Sequence, residues 1–305
     1  MSLNSSFVGH SQCHEHIFLE KGASYRQNPA LCLNEKDASL AELNEYYEAG
    51  GRLIVDAQPY GYGRNANVLC ELSKKSGVKI VAVTGFHKKE FLDETWILDL
   101  SKREIEKLYT DEIKIGMLMS QDVRTAYKAS IVKAAYTKDC FTDPIYQRMI
   151  TAVANTAAKT GVPLMVHTEK NTDIEELLDF LTEEGVKRNQ VIICHLDRTN
   201  PSGAYHKKVL SLGCYLCYDS VNRLKYVSHE EEIALIKEMI DAGYVKQILL
   251  SLDTTADRLR AYNAKDMGLD YILKIYIPML KEHGISDRDI EYMCVKNAQE
   301  VLSGK

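Results

Sequence analysis

Eight short apolar runs rich in β-branched residues recur along the chain, each followed by a stretch of helical character. This alternation limits what the chain can fold into more than any other feature. The runs are "QCHEHIF" (12–18), "RLIVDAQ" (52–58), "KIVAVTGF" (79–86), "SIVKAAY" (130–136), "PLMVHTE" (163–169), "VIICHLD" (191–197), "CYLCYDS" (214–220) and "QILLSLD" (247–253). Between them, "DASLAELNEYYEAGG" repeats apolar positions at helical spacing and ends on glycine, a C-cap signal. "DPIYQRMITAVANTAAKTGV" does the same, with Pro144 suited to a first helical turn. "EEEIALIKEMIDAGY" and "LDYILKIYIPMLKEHG" follow the pattern. Strict alternation implies a parallel sheet with right-handed crossovers. Eight units closing on themselves make a (β/α)8 TIM barrel, an α/β fold. The competing doubly wound sheet calls for a Gly-rich phosphate turn after the first strand, and none is present. The tail "SDRDIEYMCVKNAQEVLSGK" reads as an extra C-terminal helix. With no Pro/Ser-rich linker, low-complexity tract or repeat, residues 1–305 are expected to form a single barrel domain.

Apolar residues make up 45% of the 305, enough for a large core. The 38 basic and 43 acidic residues leave a net charge of −5, so no broad basic face for nucleic acid or anionic membrane is implied. The N-terminus "MSLNSSFVGH" lacks the basic and apolar regions of a secretion signal, and no apolar run approaches a membrane span. Eight scattered cysteines then suit reduced thiols in a cytoplasmic protein. "CYLC" (214–217) has redox-motif spacing. In a strand, however, its two sulfurs point to opposite faces, which favours buried apolar cysteines.

The chemistry sits where the apolar runs end. His14 and His16 in "HEH" are two apart, so a strand turns both to one side. Alone, this pair is weak evidence for a metal. The later runs strengthen it. "MVHTEK" puts His167, "ICHLDR" puts His195 and "LLSLDTT" puts Asp253 near C-terminal strand ends, where barrel enzymes build their sites. A buried imidazole or carboxylate without a partner is costly, so four such interruptions at one rim point to a shared ligand. His87, in "TGFHKKE", is a further candidate for the pocket wall.

Lys133 stands inside "SIVKAAY" and shares a face with Ile131 and Ala135. Burial depresses a lysine pKa, and the neutral amine can react with carbon dioxide to form a carbamate. That group is a carboxylate on a long arm, able to bridge two cations. A lysine snorkelling to the strand end, or paired with a carboxylate, is the alternative.

These residues together resemble the phosphotriesterase-like branch of the amidohydrolase superfamily. The likeness runs in order from "HEHIF" through the strand lysine, "VPLMVHT", "ICHLD" and "LLSLD" to "NAQEVL". The resemblance implies a hydrolase with a binuclear metal centre, usually zinc, bridged by a carboxylated lysine. His14, His16 and Asp253 would hold the more buried ion, His167 and His195 the more exposed one, and Lys133 both. Asp253 would also accept the proton of the attacking water and pass it to the leaving group.

Within the family, "HLDRTNP" and "RLKY" look most like the bacterial sugar-lactone branch, some of whose members hydrolyse phosphorylated aldonolactones. Lys225 matches that branch's phosphate-binding lysine. Its pattern Asp-Thr-Ala-Arg-x-x-Tyr is broken here, where "DTTADRLRAY" has Ala256 and Leu259 at the Arg and Tyr positions. Arg258, Arg260 and Tyr262 are near enough in sequence to substitute, and Arg198, close after His195, is a candidate to touch substrate. Tyr60, Tyr62 and Arg64 are weaker pocket candidates. A lactonase is the leading expectation. A phosphotriester, phosphodiester or amide hydrolase is the alternative, and a non-catalytic metal-binding barrel the third. A small-molecule substrate is implied. Barrels of this type often form homodimers, although no stretch marks an interface.

Overall fold

The computed structural model describes residues 9–303. All eight runs form strands: β1 His10–Glu15, β2 Gly51–Asp56, β3 Lys79–Gly85, β4 Ile131–Tyr136, β5 Leu164–Thr168, β6 Val191–Cys194, β7 Tyr215–Tyr218 and β8 Ile248–Leu250. They pair in chain order and in parallel, giving a nearly closed (β/α)8 barrel. A two-stranded antiparallel hairpin, Leu118–Ser120 with Val123–Arg124, precedes β4.

Strand periodicity sorts the core into layers. Ile131, Met165, Ile192, Cys194, Tyr215, Cys217 and Leu249 fill the barrel interior. Their neighbours Val132, Ala134, Val166, Ile193 and Leu216 belong to the cluster under the helices. The two halves of "CYLC" separate accordingly, with Cys217 inside the barrel and Cys214 on the helix side. All eight cysteines are free.

The main helices are α1 Lys36–Glu48, α2 Ala66–Ser76, α3 Lys102–Lys114, α4 Pro144–Thr160, α5 Ile174–Glu183, α6 Gly203–Ser211 and α7 His229–Asp241. Local sequence sets their ends. Asp143 accepts from the amides of Ile145 and Tyr146 at the start of α4, and Gly161 closes it with φ 71°. Ser228 and Glu231 form a capping box on α7. The C-terminal tail is broken into Asp287–Glu291, a π turn Tyr292–Lys296 and Asn297–Leu302. Ala298, Val301 and Leu302 join the interior cluster beside Leu53, Val81 and Ile131, which lie early in their strands. The tail therefore plugs the barrel at the end away from the strand C-termini.

The ladder runs from β1 to β8, and no further ladder joins the two among the described residues. Side chains close this seam. Ser251 Oγ accepts from the amides of Cys13 and His14, at 2.7 and 2.9 Å. Thr254 Oγ1 accepts from the His16 amide and donates to its carbonyl.

Tyr60, Tyr62 and Arg64 do not reach a substrate pocket. Arg64 turns into the wall, where its guanidinium meets Glu112 at 2.5 Å and donates to the carbonyl of Val83. Both side chains are fully buried. Tyr62 donates to the His87 carbonyl and Tyr60 packs on Trp96. Removing one member of a buried ion pair leaves the other charge uncompensated. Glu112→Ala is accordingly expected to lose about 3–5 kcal/mol of stability, read as a lower urea midpoint with unchanged slope.

Candidate metal centre

A cavity of about 500 Å³ opens at the C-terminal ends of the strands, a size suited to a small molecule. The residues that sequence assigns to a metal site all line it: His14, His16, Lys133, His167, His195 and Asp253.

Each strand delivers its side chain by a local device. In β1 the register against β2 slips between Gln12 and Glu15, and this bulge aims side chains at a site as bulges commonly do. Lys133 lies mid-strand in β4, 2% exposed, with no carboxylate within 4 Å among the described residues. It neither snorkels nor pairs; its Nζ sits 3.1 Å from His14 Nε2. His167 is the penultimate residue of β5. His195 follows β6 directly in the left-handed region, φ 69°, and Asp253 follows β8 with φ 48°. Non-glycine residues in that region store strain and gather at functional sites.

The ligand atoms of His14, His16 and Asp253 lie within 4.8 Å of one another. His16 Nε2 is 3.3 Å, and His14 Nε2 3.7 Å, from Asp253 Oδ1. The ring of His195 is 4.5 Å from that of His167 and 4.7 Å from that of His14. His167 Nε2 is buried and has no hydrogen-bond partner among the described residues. Such a donor set, imidazole and carboxylate with open nitrogen, fits zinc or a similar divalent ion.

Asp219, one residue past β7, escaped the sequence reading. Fully buried, it sets Oδ1 2.7 Å from His195 Nδ1 and Oδ2 3.1 Å from His14 Nδ1. One carboxylate thus hydrogen-bonds the His195 ring and sits in ion-pair range of the His14 ring. The signal was present, because "CYLCYDS" carries an acid near its end just as "PLMVHTE" and "VIICHLD" carry a histidine near theirs. Arg223 also went unremarked. Its guanidinium, with that of Arg198, holds Asp253 Oδ2 at 3.1 and 2.9 Å.

Burial lowers the pKa of His16 and of Lys133 from their ordinary values, and takes His195 well below the usual imidazole value. It brings His167 to about 4. Neutral nitrogen is the ligand form. His14 runs the other way: burial and Lys133 push it down, but Cys194 and Asp219 prevail and raise it to about 9. Burial would raise Asp253, yet Arg223 and Arg198 hold it well below the carboxylate range.

Of the five candidate substrate residues, Arg198, Lys225 and Arg258 line the cavity. Arg258 spends its donors on the carbonyls of Leu252, Asp253 and Val221. Arg260 and Tyr262 are turned away from it, contrary to expectation. Arg260 pairs with Glu45 and Asp270, and Tyr262 hydroxyl bonds Ser39 and the Glu35 carbonyl, because Leu259 buries itself beside them. His87 lines the cavity, stacked on Phe91 and edge-on to His167.

Residues 2–302 match the phosphotriesterase family. The chain belongs to this family. It is 31% identical over 314 residues to a phospho-furanose lactonase of Mycoplasmopsis synoviae, covering 97% of this chain and 88% of the relative. It is 27% identical to the phosphotriesterase homology protein of Escherichia coli, covering 96% and 97%. Among solved structures, an amidohydrolase from Mycoplasma synoviae superposes with a TM-score of 0.91 at 30% identity, covering 99% of this chain and 89% of that one. A lactonase from Listeria monocytogenes gives 0.89 at 26%, covering 99% and 96%. Binuclear metal dependence is the rule in this family.

Metal-free protein should lose stability in acid. His167 in the fold binds its proton only near pH 4, whereas the unfolded chain binds it near 6.5. The stabilisation is therefore complete above pH 6.5 and is lost as pH falls toward 4, of order 3 kcal/mol from this group. Urea unfolding in chelator at about pH 7 and about pH 4.5 measures it.

Proposed function

We propose that this chain is a lactonase for sugar-derived lactones, with two zinc-class divalent ions held by His14, His16, Lys133, His167, His195 and Asp253. The observation that carries it is a buried lysine whose Nζ lies 3.1 Å from His14 Nε2, amid four histidines and an aspartate in one cavity. An uncarboxylated ammonium there would oppose two cations, whereas a carboxylated Lys133 supplies the bridging anion. Burial, which favours the neutral amine, supports that modification.

Two divalent ions in this site would supply Lewis acidity, polarising an ester carbonyl and making water acidic near neutral pH. The chain's own residues do the rest. Asp219 fixes the orientation of His195 by a hydrogen bond and faces His14 in ion-pair range. Asp253 is ionised, so its carboxylate accepts the proton of the attacking water and delivers it to the ring oxygen as the C–O bond breaks. Arg198 lies 2.9 Å from that carboxylate, placed to meet the substrate beside it. The named activities of the Mycoplasmopsis and Listeria relatives favour a lactone over a phosphotriester or amide.

Lys225 lines the cavity with its ammonium over the Tyr226 ring and no carboxylate within 4 Å among the described residues. It is the group placed to receive an anionic substituent. Lys225→Ala should therefore lower kcat/KM for a phosphorylated aldonolactone by about 10–100-fold and leave the unphosphorylated lactone nearly unaffected.

Lys133→Ala should cut kcat/KM by about 10³-fold, with partial recovery on adding metal and a short carboxylic acid. Full activity in the plain alanine variant would exclude the bridge. A panel of lactones, triesters and amides, read by acid release, tests the substrate class: triester cleavage without lactone turnover would overturn it.

A further inference from the structure

We propose that Glu15, between the two histidines of β1, is a positioning residue that holds Asp253 in its working conformation. The inference rests on the reading of Asp253 as ligand and proton carrier. Glu15 is fully buried, and no cationic side chain lies within 4 Å of its carboxylate among the described residues. Its two oxygens instead take backbone amides. Oε1 accepts from Leu252 at 2.7 Å and Oε2 from Thr254 at 3.2 Å. These are the residues on either side of Asp253. The Asp253 amide itself donates to the His14 carbonyl at 3.2 Å. Three successive amides are thus held by two successive residues of β1.

The need for such a latch follows from the end of β8. The strand stops at Leu250, and the Ser251 amide makes the last bond to β7, to the Tyr218 carbonyl. Beyond it the chain enters a left-handed turn at Asp253, φ 48°. That conformation costs about 1–3 kcal/mol for a non-glycine residue and persists only where surroundings enforce it. Hydrogen bonds to a carboxylate are the stronger kind, and Glu15 places two of them on the strained turn. Arg258 holds the opposite side, donating to the carbonyls of Leu252 and Asp253. A rotation of the Asp253 backbone out of this turn would carry its carboxylate away from His16. The tripeptide His14-Glu15-His16 therefore supplies two metal-competent side chains and fixes a third from the far end of the chain.

Glutamine is nearly isosteric but cannot do the same. Its carbonyl oxygen serves one amide, and its NH2 faces the other donor to donor. Full-length Glu15→Gln protein, loaded with zinc and bicarbonate, tests the role. The expected result is native circular dichroism with zinc lost to a chelator about 10-fold or more faster than from wild type. kcat falls by a similar factor while KM stays within about threefold, since the cavity walls are untouched. Wild-type zinc retention and kcat in a folded Glu15→Gln variant would overturn the proposal.

Hydrogen exchange in the wild-type protein gives a measurement that does not depend on the variant folding. The amides of residues 252–254 should stay protected after zinc is stripped, because the latch is protein-made. Loss of their protection on stripping would show that the metal orders the turn, and would overturn the latch. Wild-type protein that takes up no zinc would instead remove the metal-site reading, and the latch with it.

Discussion

The closure of the barrel between its first and last strands is the constraint on which the site depends. A regular ladder would have made this seam from backbone alone. Here it is made by Ser251, Thr254 and Glu15, each bonding main-chain groups across the gap. These bonds lie at the level of His14, His16 and Asp253, so barrel closure and site assembly are one event. Conformational strain at Asp253 is tolerated because both faces of its turn are tied down.

Charge within the cavity is arranged by burial first and by pairing second. Desolvation keeps Lys133 and most of the imidazoles toward their neutral forms. Asp219 and Asp253 resist the same pressure because each is matched by cationic or hydrogen-bonding neighbours. Apart from His14, which is raised to about 9, the outcome is a pocket of neutral nitrogen and ionised oxygen, the combination a divalent ion prefers.

Much of this was legible in the sequence. Apolar runs placed every barrel strand, because a parallel strand covered on both faces must be apolar throughout. Polar residues interrupting those runs then marked the candidate site, the lysine between Val132 and Ala134 among them. What stayed hidden depends on three-dimensional closure. The seam bonds and the contacts of Asp219 with His14 and His195 join positions apart in sequence, and no local pattern announces those partners. Arg260 and Tyr262 misled for a related reason. They are close to Asp253 along the chain, but the buried Leu259 turns them toward α1.

The seam also bears on how the protein is made. His14 and Ser251, which meet in it, are 237 positions apart. During synthesis the N-terminal histidines emerge early, and a domain generally folds as a unit. The carboxylate that completes their group arrives only with the last strand. A nascent chain therefore carries an unfinished ligand group through most of its elongation, and under the proposed function metal capture would be a late step in maturation.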